Sequence, residues 1–277
     1  MEGSLVEATR SIVPGVRVER LEINQWQVMF LAAIGLAIVV CEYVFAYHNV
    51  AFGIAIALAM VILIYITLSY FNLEQRMVNT AESMALIPLY ILFTSSLPWF
   101  FINQQYLLPA VYSCILGLVF WHIYQNKLNL KQILGFSKKH VLKYCLIGLA
   151  IGTMSGTVEY LILHPAATFP TFEVRYLFRD MVYMLLFVGL GEELLFRGLI
   201  QRDLTNIFGW KWGLVGASFL FAIMHLTWRS IPELVFVFFA GLIMGFIYWK
   251  TKSLLAPIVL HCVNNTMLVA VVPYILG

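Results

Sequence analysis

Glu192, Glu193 and Arg197 lie in MLLFVGLGEELLFRGLI, His225 in ASFLFAIMHL, and His261 with Asn265 in LLAPIVLHCVNNTMLVAVV. Carboxylates, imidazoles and a side-chain amide are the groups that move protons, ligate metals and donate to oxyanions. Here each is embedded in an apolar run of membrane-spanning character. A charged side chain costs about 2.5–3.5 kcal/mol at the centre of a bilayer on insertion scales, so such residues are functional-site candidates by default. The three runs all fall in the last third of the chain. They are expected to build one buried polar site.

The spacings assign parts. Glu193 and Arg197 are four residues apart, on one helix face, and are expected to form an internal ion pair that makes Arg197 tolerable in hydrocarbon. Glu192 is rotated about 100° from Glu193, which leaves its carboxylate uncommitted and free for general-base work. Glu192 is thus expected to do chemistry, while Glu193 and Arg197 give structural support. Phe221 with His225, and His261 with Asn265, repeat the four-residue spacing, each pair presenting two side chains from one face. The histidines can orient a water, carry a proton or bind a metal. The Asn265 amide can donate to an oxyanion. Measured along helices from the turn near Asn206–Gly209, Glu192 and His225 lie at about 21 and 24 Å, so one depth is expected for both. Glu42, Glu159 and His122 stand alone in their runs and are expected to be satisfied packing residues.

Apolar residues make up 62% of the 277 and charged residues 11%, against about 25% in soluble domains. The chain is an integral membrane protein by composition. A formal charge of +3, spread over loops, gives no reason to expect nucleic acid. Cys41, Cys114, Cys145 and Cys262 all sit in apolar runs without CxxC spacing, which speaks against a disulfide framework or zinc ribbon. Taking about 20 residues per span, eight or nine transmembrane helices are expected, the nine-span reading being 25–47, 50–71, 83–101, 106–124, 142–163, 176–200, 211–228, 231–249 and 253–275. The first run is longer than a signal-peptide core and has no cleavage site after it, so it should stay as an anchor. The basic loop 126–140 divides a front block, 1–140, from a site-bearing block, 141–277. With nine spans and the N-terminus in the cytoplasm, 13 of the 16 loop lysines and arginines fall inside, as the positive-inside rule requires. Gly148, Gly152 and Gly156, and Gly241 and Gly245, mark close helix–helix seams.

GLGEELLFRG fits an EExxxR motif, Phe221–His225 fits FxxxH, and His261–Asn265 fits HxxxN. In that order the motifs resemble the CAAX-prenyl-protease and bacteriocin-processing family of intramembrane proteases, the CPBP or Abi proteins, over residues 175–270. The resemblance implies that Glu192 and His225 activate the attacking water. It also implies that His261 and Asn265 complete the site and stabilise the tetrahedral oxyanion.

The expectation is an all-α polytopic bundle whose last four helices enclose a polar cavity. In it a peptide bond of a membrane-associated substrate, such as a prenylated CAAX-type C-terminus, would be hydrolysed. Membrane lipid and that substrate are the expected partners. Zinc held by Glu192, His225 and His261 is one possible cofactor arrangement, but the chain has no HExxH helix. A metal-free glutamate–histidine mechanism is preferred. Two rival readings use the same buried charges: a transporter, and a non-catalytic immunity or chaperone protein. The lack of an internal repeat counts against the transporter.

Overall fold

The structure is a computed structural model and describes residues 25–97 and 99–277. Among them helix is the only regular structure. The helices are α1 (Gln25–His48), α2 (Val50–Tyr70), α3 (Gln75–Ser95), α4 (Gln104–Gln125), the short α5 (Leu130–Leu134), α6 (Val141–Leu163), α7 (174–208), α8 (Trp210–Ile223), α9 (Ile231–Thr251) and α10 (Leu255–Leu276). Seven segments are long and apolar enough to cross a membrane: α1 to α4, the stretch Leu130–Leu163, α9 and α10. The chain is a multi-pass integral membrane protein. One hydrophobic core runs from Leu31 in α1 to Leu260 in α10.

The two remaining helices, α7 and α8, carry EExxxR and the start of FxxxH. In α7 the charges of Glu192, Glu193 and Arg197 interrupt the apolar run. In α8 the obstacle is length. Its 14 residues rise about 21 Å, short of the roughly 30 Å of a hydrocarbon core. The apolar pattern suggested a span over 211–228, but the helix stops at Ile223. The polar stretch HLTWRSIPE follows, in which Ser230 caps α9 and Pro232 occupies its first turn. Arg229 adopts a left-handed conformation there (φ 53°) and its guanidinium donates twice to the Ala46 carbonyl, at 2.7 and 3.0 Å. That carbonyl belongs to the π-helical last turn of α1, Val44–His48. The loop after α8 is therefore fastened to the end of α1.

The third span also differs from its expected 83–101, running Gln75–Ser95. Its polar start is satisfied inside the protein: Thr80 donates to the Arg76 carbonyl, and Asn126, just past α4, donates to Glu82. Hydropathy alone cannot see a polar turn that has partners. The charged residues that would orient α1 precede residue 25 and lie outside the described residues.

Two glycine seams set the helix spacing around the site. Along α6, a Cβ at Gly148, Gly152 or Gly156 would collide with Val259, with the Leu260 carbonyl or with the Asn264 carbonyl of α10. The two backbones therefore touch. Gly241 and Gly245 of α9 leave their carbonyls open to side chains of α7: Arg197 donates to Gly241 at 3.2 Å and Gln201 to Gly245 at 2.9 Å. At the other end Gly135 (φ 59°) closes α5 against the Lys252 carbonyl, and the Leu254 amide donates to Leu134. The basic loop is thus tied to the start of α10.

Candidate active site

Glu192 and Glu193 lie where α7 departs from regular α-helix. The turn Leu190–Glu193 is flanked by π-helical stretches, Met184–Gly189 and Leu194–Gln201. Such widened turns concentrate at functional sites. Here they alter how consecutive side chains fan out, and both carboxylates end at one imidazole. His261 Nδ1 is 2.9 Å from Glu193 Oε1, and His261 Nε2 is 3.7 Å from Glu192 Oε2. Glu193 Oε1 also accepts from Arg197 Nη1 at 2.9 Å. Glu193 and Arg197 are 0% and 1% exposed, so this is a desolvated ion pair. The guanidinium is completed by the Gly241 carbonyl and by the Phe221 ring, 4.4 Å from its carbon to the centroid.

The expected pairing of Glu193 with Arg197 is present, and Glu193 does more than pair. It holds the His261 ring as well. Glu192 Oε2 has no hydrogen-bond partner. Tyr112 of α4 lies against Glu192, so the front helices contribute to the surroundings of the site.

His225 lies two residues beyond the end of α8, yet it keeps its relation to Phe221. Its Nδ1 is 2.9 Å from the Phe221 carbonyl, and the two rings are 4.9 Å apart. A carbonyl only accepts, so Nδ1 carries the hydrogen and the Nε2 of neutral His225 holds a lone pair. Phe221 also meets His261 edge-on at 5.8 Å. It is the wedge between the two imidazoles.

A small cavity of about 20 Å³ is lined by polar groups of His225, His261, Asn264, Asn265 and Glu159, with Phe221 and apolar side chains of α9 completing the wall. That is room for about one water molecule. Glu192 stands one imidazole away, at His261 Nε2. Of the four residues expected to act together, three line this cavity and the fourth touches one of the three.

The sequence reading passed over Asn264 and Glu233 and took Glu159 for an isolated packing residue. Asn264 donates to both the Glu159 carboxylate and Asn265 Oδ1. Glu233 is fully buried opposite Glu159. The signal for Glu159 was available: it follows Gly156 by three residues, on the face that packs against α10. The other two isolated residues lie elsewhere, Glu42 buried in α1 and His122 beside Asn126 in α4. Among the described residues, no three His, Cys, Asp or Glu side chains converge as a metal site requires. The set Glu192, His225 and His261, as placed, does not fit a zinc ion.

Residues 175–267 match the model of the Rce1-like family, described as type II CAAX prenyl endopeptidase Rce1-like. This third of the chain is similar to that family. It holds α7, α8, α9 and most of α10, and with them all three motifs and the His261 clamp. No curated protein and no solved structure matches the chain.

Proposed function

We propose that the chain hydrolyses a peptide bond near the prenylated, CAAX-type C-terminus of a membrane-associated substrate. The observation that carries this reading is the His261 clamp: one imidazole between adjacent buried carboxylates, one neutralised by Arg197 and the other without a counter-cation. It sits in the Rce1-like segment beside a cavity of polar groups. The Arg197 charge is spent on Glu193, which leaves Glu192 as the base. Glu192 takes a proton from water while the His225 Nε2 lone pair accepts the other O–H and aligns it. The water oxygen attacks the scissile carbonyl, and the oxyanion receives hydrogen bonds from Asn265 and from the Nε2–H of a doubly protonated His261, whose Nδ1–H Glu193 holds. The C–N bond then breaks and the proton on Glu192 goes to the departing amine.

The dry surroundings strengthen each of these interactions relative to water. Removal of one oxyanion donor costs about 10²–10³ in rate in a comparable hydrolase.

The test is cleavage of a fluorogenic prenylated CAAX peptide by purified protein in liposomes, with the unprenylated peptide in parallel. Wild type should cleave the prenylated peptide faster, and Glu192→Gln should be inactive at unchanged melting temperature. Wild-type turnover by Glu192→Gln would remove the proposed base. Absence of any cleavage by wild type would remove the proposed activity.

A further inference from the structure

The geometry points to Glu159 as a positioning residue that turns the Asn265 amide toward the reacting carbonyl, acting through Asn264. This inference rests on the reading of Asn265 as an oxyanion donor.

Asn265 can serve as a donor only if its NH₂, rather than its oxygen, faces the cavity. The orientation of an amide is set by what holds its other end. Asn264 Nδ2 lies against the Glu159 carboxylate and 3.3 Å from Asn265 Oδ1. Glu159 Oε2 accepts from Asn264 Nδ2, so Asn264 presents its NH₂ to Glu159. One Asn264 hydrogen goes to Glu159 and the other to Asn265 Oδ1. Asn264 Oδ1, left over, has no hydrogen-bond partner. With Asn265 Oδ1 held by Asn264, the Asn265 NH₂ is the end left for the cavity, which Asn265 lines together with His225 and His261. A reversed Asn264 would place its oxygen against the carboxylate and release Asn265.

Glu159 reaches this point because α6 and α10 touch. The Gly156 seam sets the α6 backbone on the Asn264 carbonyl, and Glu159 is three residues further along the same face. It is 6% exposed and Asn264 is 7% exposed, so water does not compete for either bond. Glu233 of α9 closes the far side of Glu159. The bland role for such a bond is glue between helices. Glue predicts a change in stability. A positioning role predicts a change in kcat that disappears when Asn265 is absent.

The experiment is a double-mutant cycle on kcat and KM in liposomes, with the fluorogenic prenylated peptide and a melting curve for every variant. Asn265→Ala should lower kcat by about 10²–10³. Glu159→Ala should lower kcat by roughly 10–100-fold, the scale of losing an outer partner that orients a functional group, with KM changed less than about twofold. Glu159→Gln should restore most of the rate, since its carbonyl oxygen can still accept from Asn264. Asn264→Ala breaks the same relay from the middle and should copy Glu159→Ala, which keeps the test open if Glu159→Ala fails to fold. Glu159→Ala combined with Asn265→Ala should be no slower than Asn265→Ala alone. A multiplied loss in the double variant, or wild-type kcat in Glu159→Ala beside a slow Asn265→Ala, would overturn the relay and leave the function standing. Wild-type kcat in Asn265→Ala with an inactive Glu192→Gln would overturn the relay and the donor it serves. Activity in Glu192→Gln as well would overturn the proposed function itself.

Discussion

Replacing Arg197 by Met keeps most of the side-chain volume but strips Glu193 of its counter-charge. Arg197 is 1% exposed and Glu193 0%, so neither can turn to water. Glu193 would keep the hydrogen bond from His261 at 2.9 Å, while its Oε2 already lacks a partner. Breaking a buried ion pair by removing one member costs about 3–5 kcal/mol. The Gly241 carbonyl and the Phe221 ring would lose their cationic partner as well. At about 2–4 °C per kcal/mol for a chain of 150–250 residues, the melting temperature should fall by roughly 6–20 °C. The double variant Glu193→Gln, Arg197→Met should recover part of that loss, because replacing both members of a buried pair is often near neutral. It should not recover turnover, since the His261 ring has lost its carboxylate. Glu192→Gln should melt like wild type: Glu192 has no cationic partner to lose, His261 Nε2 standing 3.7 Å from its Oε2, beyond hydrogen-bond length, and an amide can still accept from Tyr112. The assay is thermal unfolding of purified protein in detergent, followed by circular dichroism, with peptide turnover measured on the same samples. An Arg197→Met variant as stable as wild type would refute the view of this pair as the brace of the site. So would a Glu192→Gln variant that melts as low as Arg197→Met.

Three further outcomes are expected. A cysteine added after Gly277, in a background without the four native ones, should react with an impermeant maleimide in intact cells, and one at residue 135 only after lysis; the reverse would overturn a cytoplasmic N-terminus followed by an odd number of spans. If the hydrolysis is metal-free, ortho-phenanthroline and its non-chelating isomer should inhibit alike, and stoichiometric zinc lost on His225→Ala would restore a metal mechanism. Gly156→Val should push α6 off the Asn264 carbonyl and lower kcat together with stability, whereas Gly117→Ala, where a Cβ meets nothing within 4 Å, should leave both unchanged.

Much of this site was legible before any coordinates, because charge in hydrocarbon is costly enough to be informative at single residues. Glu193–Arg197 could be paired from spacing alone, since four residues is one helical turn. Phe221–His225 shows a weaker version of the same rule. Its helix ends at Ile223, but the chain continues in a tight turn and the imidazole still reaches the Phe221 carbonyl. What spacing could not supply is long-range pairing. Nothing local distinguishes Asn264 from Asn265, or says that Glu159 on α6 would meet α10. The choice between Glu192 and Glu193 as the partner of His261 also escaped. Regular helical geometry separates adjacent side chains by about 100°, and only the π-helical turns on either side let both carboxylates approach one ring.

Those irregular turns and the truncated α8 are two answers to one requirement. On the proposed function a peptide bond must reach buried polar groups, and regular membrane-spanning helices satisfy their own backbone and leave little room for anything else. Ending α8 about 9 Å short of a full span leaves a loop at the depth of the cavity, which the Arg229 bonds to α1 hold in place. Non-helical backbone at that depth is tolerated only where protein or a polar cavity surrounds it, and His225 sits at that break. The two departures from regularity fall on the helices that carry EExxxR and FxxxH. They lie next to the one buried imidazole that two carboxylates share. A transporter with the same charges would need a continuous polar path to both faces, whereas here the polar groups converge on a cavity of about 20 Å³. Convergence of that kind favours a reaction at one point over passage through the bilayer.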